Sequence, residues 1–149
     1  IDLQGVKEVI SKSNIFLLND EEAVQLTGIS DMIKAGKEIQ KMGPQTVIIK
    51  LGGEGSFLIE EDECFHVPCV PDIDVYDPTG AGDSFAGGLI GFISQNGFNN
   101  KRDALIYASA IASFTVSDFG INKLLNLNFD DIKSRVEIIE TIIKNKAEE

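Results

Sequence analysis

The spacing of apolar and polar positions changes character along this chain near residue 80. Before it, short apolar runs alternate with helix-like segments. Residues 14–19, NIFLLN, form an apolar run that predicts a buried strand. In the following NDEEAVQLTG, Asn19 or Asp20 is placed to cap a helix, acids fill the first turn, and Gly28 stops it. SDMIKAGKEIQKMG, residues 30–43, repeats that grammar with Ser30 or Asp31 as cap and Gly43 at the end. Upstream, VKEVISKS reads as the end of another helix. Val47–Lys50 predicts a second buried strand, GGEG a turn, and SFLIE with CFHVPC a hairpin across the acidic EDE. From Ala81 onward helices dominate, over about 81–95, 101–117 and 129–146. Phe114, Val116 and Phe119 are expected in the core.

Strands alternating with helices, then a helical end, indicate an α/β layered fold. The strands are apolar on both faces, as in a sheet covered on both sides. A length of 149 residues suits one domain. The formal net charge of −11 argues against a nucleic-acid surface, which needs clustered Lys and Arg. It leaves room for one small phosphorylated ligand, which a few aimed N–H groups can hold. No apolar run reaches the roughly 18–20 residues of a membrane span, and no signal peptide opens the chain. The acidic composition suggests a soluble, cytoplasmic protein. Cys64 and Cys69 read as reduced thiols rather than a redox or zinc pair, and His66 between them as structural.

The stretch YDPTGAGDSFAGGLIGFI, residues 76–93, concentrates glycine and one carboxylate at the mouth of a predicted helix. Gly80 and Gly82 permit positive φ and close approach of another group. The first N–H groups of the helix point outward, and with the helix dipole they favour an anion. A transferring phosphoryl group suits that nest, because its negative charge is spread over several oxygens. Asp83, in the first turn, can accept the proton of an attacking hydroxyl. Taken by spacing alone, the same residues are also an ordinary glycine-led helix start with a favourable acid.

DPTGAGDSFAGG closely resembles the second signature of the PfkB (ribokinase-like) carbohydrate kinases, D-T-x-G-A-G-D-x-F. NDEE, 19–22, resembles that family's N-x-x-E motif. KLGGEG, 50–55, resembles its nucleotide-binding turn, and ALIYASAIASFTV, 104–116, the helix flanking the adenine. The resemblance covers nearly the whole chain but only the C-terminal half of the family's usual length. It implies a ribokinase-like layered sheet with helices on both faces, without the lid, over residues 1–149. It implies ATP-dependent phosphorylation of a hydroxymethyl group on a sugar, with Asp83 as general base and the backbone of Gly80, Ala81 and Gly82 as anion hole. Asn19 and Glu22 would hold Mg²⁺ and its waters, which one carboxylate and an amide suffice to do. Without the family they are a helix cap and a first-turn acid. Asn19, Lys50, Gly52, Gly55, Gly82 and Ser109 would meet the nucleotide, and Tyr107 would stack on adenine or pack in the core. Asp77 and Thr79 match half of a monovalent-cation (K⁺) site. The other half should come from carbonyls around Thr115 to Gly120, but SDFGINKLL departs from the family's ending there. Pro78 also departs from the more usual Thr, and proline fixes φ and removes an N–H.

The family's early glycine signature, most sugar contacts and the lid lie in sequence not present here. The chain by itself is therefore expected to be inactive. An exposed strand edge or apolar face is also expected, and with it pairing of chains into a homodimer. Two other readings stand beside the sugar kinase. One is a nucleoside kinase, adenosine-like, on the same fold; the other is a non-catalytic nucleotide-binding module.

Overall fold

A computed structural model describes residues 3–148 as two compact units, divided after His66. The first unit opens with helix α1 (Leu3–Ser11), strand β1 (Ile15–Asn19) and helices α2 (Asp20–Thr27) and α3 (Met32–Gln40). Strand β2 (Thr46–Lys50), a 3-10 turn (Gly52–Glu54), strand β3 (Ser56–Ile59) and strand β4 (Cys64–Val67) follow. The sheet order is β1-β2-β3-β4. β1 and β2 are parallel, with Asn19 opposite Lys50. β2 and β3 are antiparallel, with Lys50 opposite Ser56.

The period of two along the strands decides what is buried where. Leu18, Val47, Ile49 and Ile59 pack with Ile10 of α1, Ala23 of α2, and Ala35 and Ile39 of α3. The alternate residues Ile48 and Leu58 are buried as well. Both faces of the central strands are therefore covered, as their apolar runs predict. The expected hairpin forms, with Glu60 N–H donating to the Glu63 carbonyl at 2.8 Å. Lys37 of α3 donates to the carbonyls of Glu60 and Glu61 and ties that acidic turn to the helix. Gly43 does not end α3. The helix closes at Gln40 with Lys41 as its C-cap, and Gly43 lies in the loop beyond.

The second unit runs from Val67 to the C-terminus. It contains α4 (Ala81–Asn96), α5 (Lys101–Val116), a short α6 (Asn122–Leu125) and α7 (Phe129–Ala147). α5 is buried nearly all round, through Ala104, Leu105, Ile106, Ala108, Ala110 and Phe114 among others. Arg135 of α7 donates to Ser113 Oγ at 2.6 Å and lays its guanidinium 3.4 Å above the Phe114 ring. α7 starts on a capping box in which Asn128 and Asp131 bond each other's backbone.

One expectation fails in the stretch 112–125. Phe119 is 63% exposed rather than core, because α5 ends at Val116 and the chain has left the packed face by then. α6 was not foreseen; it is a single turn, too short for a periodic signal. Among the described residues, no helix is long and apolar enough to cross a membrane.

Candidate active site

In the first unit the parallel pairing of β1 and β2 places their carboxyl ends side by side. Asn19 ends one strand and Lys50 the other, in register. Ligands of open α/β sheets bind outside such strand ends. Asn19 is the N-cap of α2. Its Oδ1 accepts from Glu22 N–H at 2.7 Å, and Glu22 Oε2 accepts from Asn19 N–H at 2.8 Å. This is a complete capping box. It engages only one oxygen of Glu22, whose side chain is exposed. One exposed carboxylate beside an amide fits Mg²⁺, which keeps most of its ligands as water and phosphate. Among the described residues, no three His, Cys, Asp or Glu gather into a metal cluster.

After Lys50 the chain turns sharply. Gly52 has φ 57° and Gly55 φ 99°, conformations that side chains resist. The turn closes through Leu51 N–H to the Gly55 carbonyl at 2.8 Å. A Cβ at Gly52 or Gly53 would meet nothing within 4 Å, so one side of the turn lies open. His66 holds the other side: its Nε2 lies 2.8 Å from the Glu54 carbonyl oxygen, and its ring tilts against Phe57 at 5.1 Å. The lone histidine thus has the structural role its setting predicts. Ser56, directly after the turn, is 2% exposed, and its Oγ lacks a hydrogen-bond partner. Beside the turn lies a cleft of about 450 Å³ lined by Leu51, Phe57, Met32, Ile33 and Ser30, with the carboxylates of Asp20, Asp31 and Glu54. Three carboxylates disfavour a phosphate there. Nothing in the linear pattern marked this cleft, because four separate segments line it.

In the second unit Gly80 is the N-cap of α4 with φ 80°, ψ −2°, a left-handed conformation suited to glycine. No side chain caps this helix. Ala81 N–H donates to the Pro78 carbonyl at 3.2 Å, and Ser84 N–H closes the first helical bond to the Gly80 carbonyl at 2.9 Å. The amides of Gly82 and Asp83 lie between these two bonds, at the helix mouth. Asp83 is exposed in that first turn.

Asp77 Oδ1 accepts from Thr79 N–H at 2.9 Å. That backbone bond, with help from the Thr79 hydroxyl, holds the Asp77 carboxyl below its ordinary range. The Val116 carbonyl accepts from both Tyr76 N–H at 2.8 Å and Asp77 N–H at 3.4 Å. The approach to α4 is thus tied to the end of α5 through the Val116 carbonyl, and Asp77 to Thr79 through one carboxylate oxygen. Ser109 is 7% exposed and donates its hydroxyl to the Pro68 carbonyl at 3.2 Å. Tyr107 is half-buried against Phe92 at 5.4 Å. Cys64 opens β4 and Cys69 lies two residues past it, both as thiols.

Sequence reasoning missed Ser84 and Thr115. Thr115 Oγ1 donates to Ser84 Oγ at 2.7 Å, directly behind the glycine turn. The only linear signal was a hydroxyl four residues after the cap, which is common in helices.

A family model described as pfkB family carbohydrate kinase matches residues 2–126. The aminoimidazole riboside kinase of Salmonella typhimurium is 37% identical over 112 residues, 72% of this chain and 34% of that protein. The ribokinase of Mus musculus is 34% identical over 115 residues, 72% of this chain and 35% of that protein. The crystal structure of aminoimidazole riboside kinase from Salmonella enterica, complexed with aminoimidazole riboside and an ATP analogue, superposes with a TM-score of 0.79. It shares 29% identity and is matched over 90% of this chain and 46% of its own. The chain spans about a third of the length of the curated relatives it matches.

Proposed function

This chain belongs to the pfkB family of carbohydrate kinases and has its ribokinase-like fold, and from that premise we propose that it is the nucleotide-binding, C-terminal part of a kinase acting on a sugar. The reaction transfers the γ-phosphoryl group of ATP to a hydroxymethyl group. Asp83 takes the hydroxyl proton as the oxygen attacks phosphorus, and ADP leaves. The Gly80–Gly82 backbone, chiefly the Gly82 amide, receives the negative charge of the phosphoryl oxygens. The observation that carries this reading is the α4 mouth, where a left-handed Gly80 and no side-chain cap stand beside an exposed carboxylate.

In the first unit, Lys50 and the open turn at Gly52 and Gly55 are assigned to the nucleotide, as is Asn19. Asn19 and Glu22 would hold Mg²⁺, which when bound neutralises phosphate charge. In the second unit Ser109 is assigned to the purine side. No step is assigned to a monovalent cation. The acceptor contacts are placed in sequence that the relatives carry and that this match does not reach, so the chain alone should be inactive. We also propose that β1 is paired in the assembled protein. It is an edge strand, IFLLN, without a charged side chain, and such edges invite another strand.

A ribosyl nucleoside is the second acceptor class, favoured by the likeness to aminoimidazole riboside kinase. The test is ADP release by the full-length protein with Mg-ATP against free sugars, sugar phosphates and nucleosides, for the parent and Asp83→Asn. One acceptor should give turnover, and the variant should lose about 10²–10⁴-fold in kcat while still binding ATP. Equal turnover by both proteins would remove Asp83 from the mechanism. ATP binding without turnover on any acceptor would favour a nucleotide-binding module instead.

A further inference from the structure

The last turn of α5 grips the glycine–aspartate turn from two sides. On the entry side, the Val116 carbonyl accepts the N–H groups of Tyr76 and Asp77. On the helix side, Thr115 Oγ1 lies 2.7 Å from Ser84 Oγ. Ser84 Oγ in turn lies 3.0 Å from the Gly80 carbonyl oxygen and 3.1 Å from that of Ala81.

The proton order in this chain is forced. Carbonyl oxygens only accept, so Ser84 must donate its single hydrogen to them. Ser84 can then only accept from Thr115. Thr115 is 3% exposed, so its hydroxyl has no solvent to turn to. A helical serine that merely bonds back to its own carbonyls can change rotamer. The Thr115 donation removes that freedom.

The clamp acts on the amides through peptide planarity. In a trans peptide the C=O and N–H point in opposite directions. Holding the Ala81 carbonyl therefore fixes the direction of the Gly82 N–H, while the Ala81 N–H stays within the turn on the Pro78 carbonyl. Thr115 Cγ2 also stands 3.9 Å from where a Cβ on Gly80 would lie, in ordinary contact behind the cap.

We infer that Thr115, acting through Ser84, is the positioning residue of the anion hole. It touches neither substrate nor phosphate. The inference rests on the reading of Gly80–Asp83 given above, and it concerns how that turn is kept in shape before the reaction.

The test uses the full-length protein with Thr115→Val, Thr115→Ser and Ser84→Ala. Valine keeps the branch and the buried methyl and deletes only the donor. Thr115→Val and Ser84→Ala should each lower kcat about tenfold, less than the 10²–10³ for deleting an oxyanion donor outright. KM for ATP should stay within about twofold, since ground-state binding does not use the aimed amide. Thr115→Ser should restore kcat. Hydrogen exchange of the peptide spanning residues 80–84 should quicken in Thr115→Val and return in Thr115→Ser. Unchanged kcat and unchanged exchange in Thr115→Val would overturn the inference. So would a joint fall of Tm, kcat and ATP affinity that Thr115→Ser does not repair, because that marks a packing role. Asp83→Asn is run alongside. If the parent turns over no acceptor, or Asp83→Asn is as active as the parent, the kinase reading falls. The exchange data then decide the clamp alone.

Discussion

α2 and α4 both begin at a sequence motif with an acid in the first turn, yet they present opposite chemistry. α2 is closed: Asn19 and Glu22 consume each other's backbone N–H groups in a reciprocal cap. α7 is closed in the same way by Asn128 and Asp131. α4 is open: Gly80 has no side chain to cap with, and the amides of Gly82 and Asp83 face the mouth. The first four N–H groups of any helix need partners. Where a side chain supplies them, the terminus is a structural joint. Where glycine withholds one, the terminus stays available to an anion. In α2 one oxygen of the exposed Glu22 carboxylate is spent on its own cap, while in α4 the exposed Asp83 stands beside a helix start that no side chain caps.

The largest effect is expected from closing down the open mouth. Gly80→Ala forces a side chain into φ 80°, a left-handed conformation that disfavours L-residues by about 1–2 kcal/mol. The space is there, since the nearest atom to a new Cβ is 3.9 Å away. The helix should therefore form with its first peptides rotated. kcat of the full-length protein should fall about 10²-fold, with a modest drop in Tm. A Gly80→Ala enzyme as fast as the parent would mean that the open geometry of α4 is incidental.

A smaller effect sharpens the reading of the closed end. Glu22→Gln keeps an acceptor at the third helical position, so the capping box survives and stability should change by less than about 0.5 kcal/mol. The charge is gone, so the Mg²⁺ concentration for half-maximal activity should rise about tenfold. Magnesium titration of both proteins decides between the two roles. If the curves coincide, Glu22 only caps, and the contrast between the two termini becomes complete.

The smallest effect concerns the approach to α4. The folded turn holds the Asp77 carboxyl below its ordinary range through the Thr79 N–H bond. A lowered carboxylate contributes fully above the unfolded pKa, near about 4, and its contribution is lost as pH falls through the depressed value. Exchange of the Thr79 amide should therefore stay slow down to the usual carboxylate range and quicken only in stronger acid. Asp77→Asn keeps the accepting oxygen and should flatten that pH profile.

Local grammar was legible from residue order wherever neighbours in sequence carry the interaction. The apolar run at 14–19, the cap at Asn19, the stop at Gly28 and the hairpin across Glu61–Glu63 all formed. Each depends on contacts within a few residues or on a simple period. The glycine–aspartate motif was legible for the same reason, since cap, amides and carboxylate lie within four consecutive positions. Gly43 and Phe119 went wrong because a stop signal and an apolar residue have meaning only relative to a packed face. Gly43 follows a helix already closed at Gln40, and Phe119 follows one already ended at Val116.

Residue order thus carried the family, most of the elements and the glycine-led start of α4, because the elements and the helix start are short-range properties of backbone conformation and hydrophobic period. Only the folded molecule decided which groups hold that mouth in place. Thr115 and Ser84 are 31 residues apart and share one proton path. Val116 meets Tyr76 and Asp77 across a still longer gap. Such pairings depend on how α4 and α5 lie together in the second unit, and hydroxyl side chains are too common along a chain for spacing to single them out.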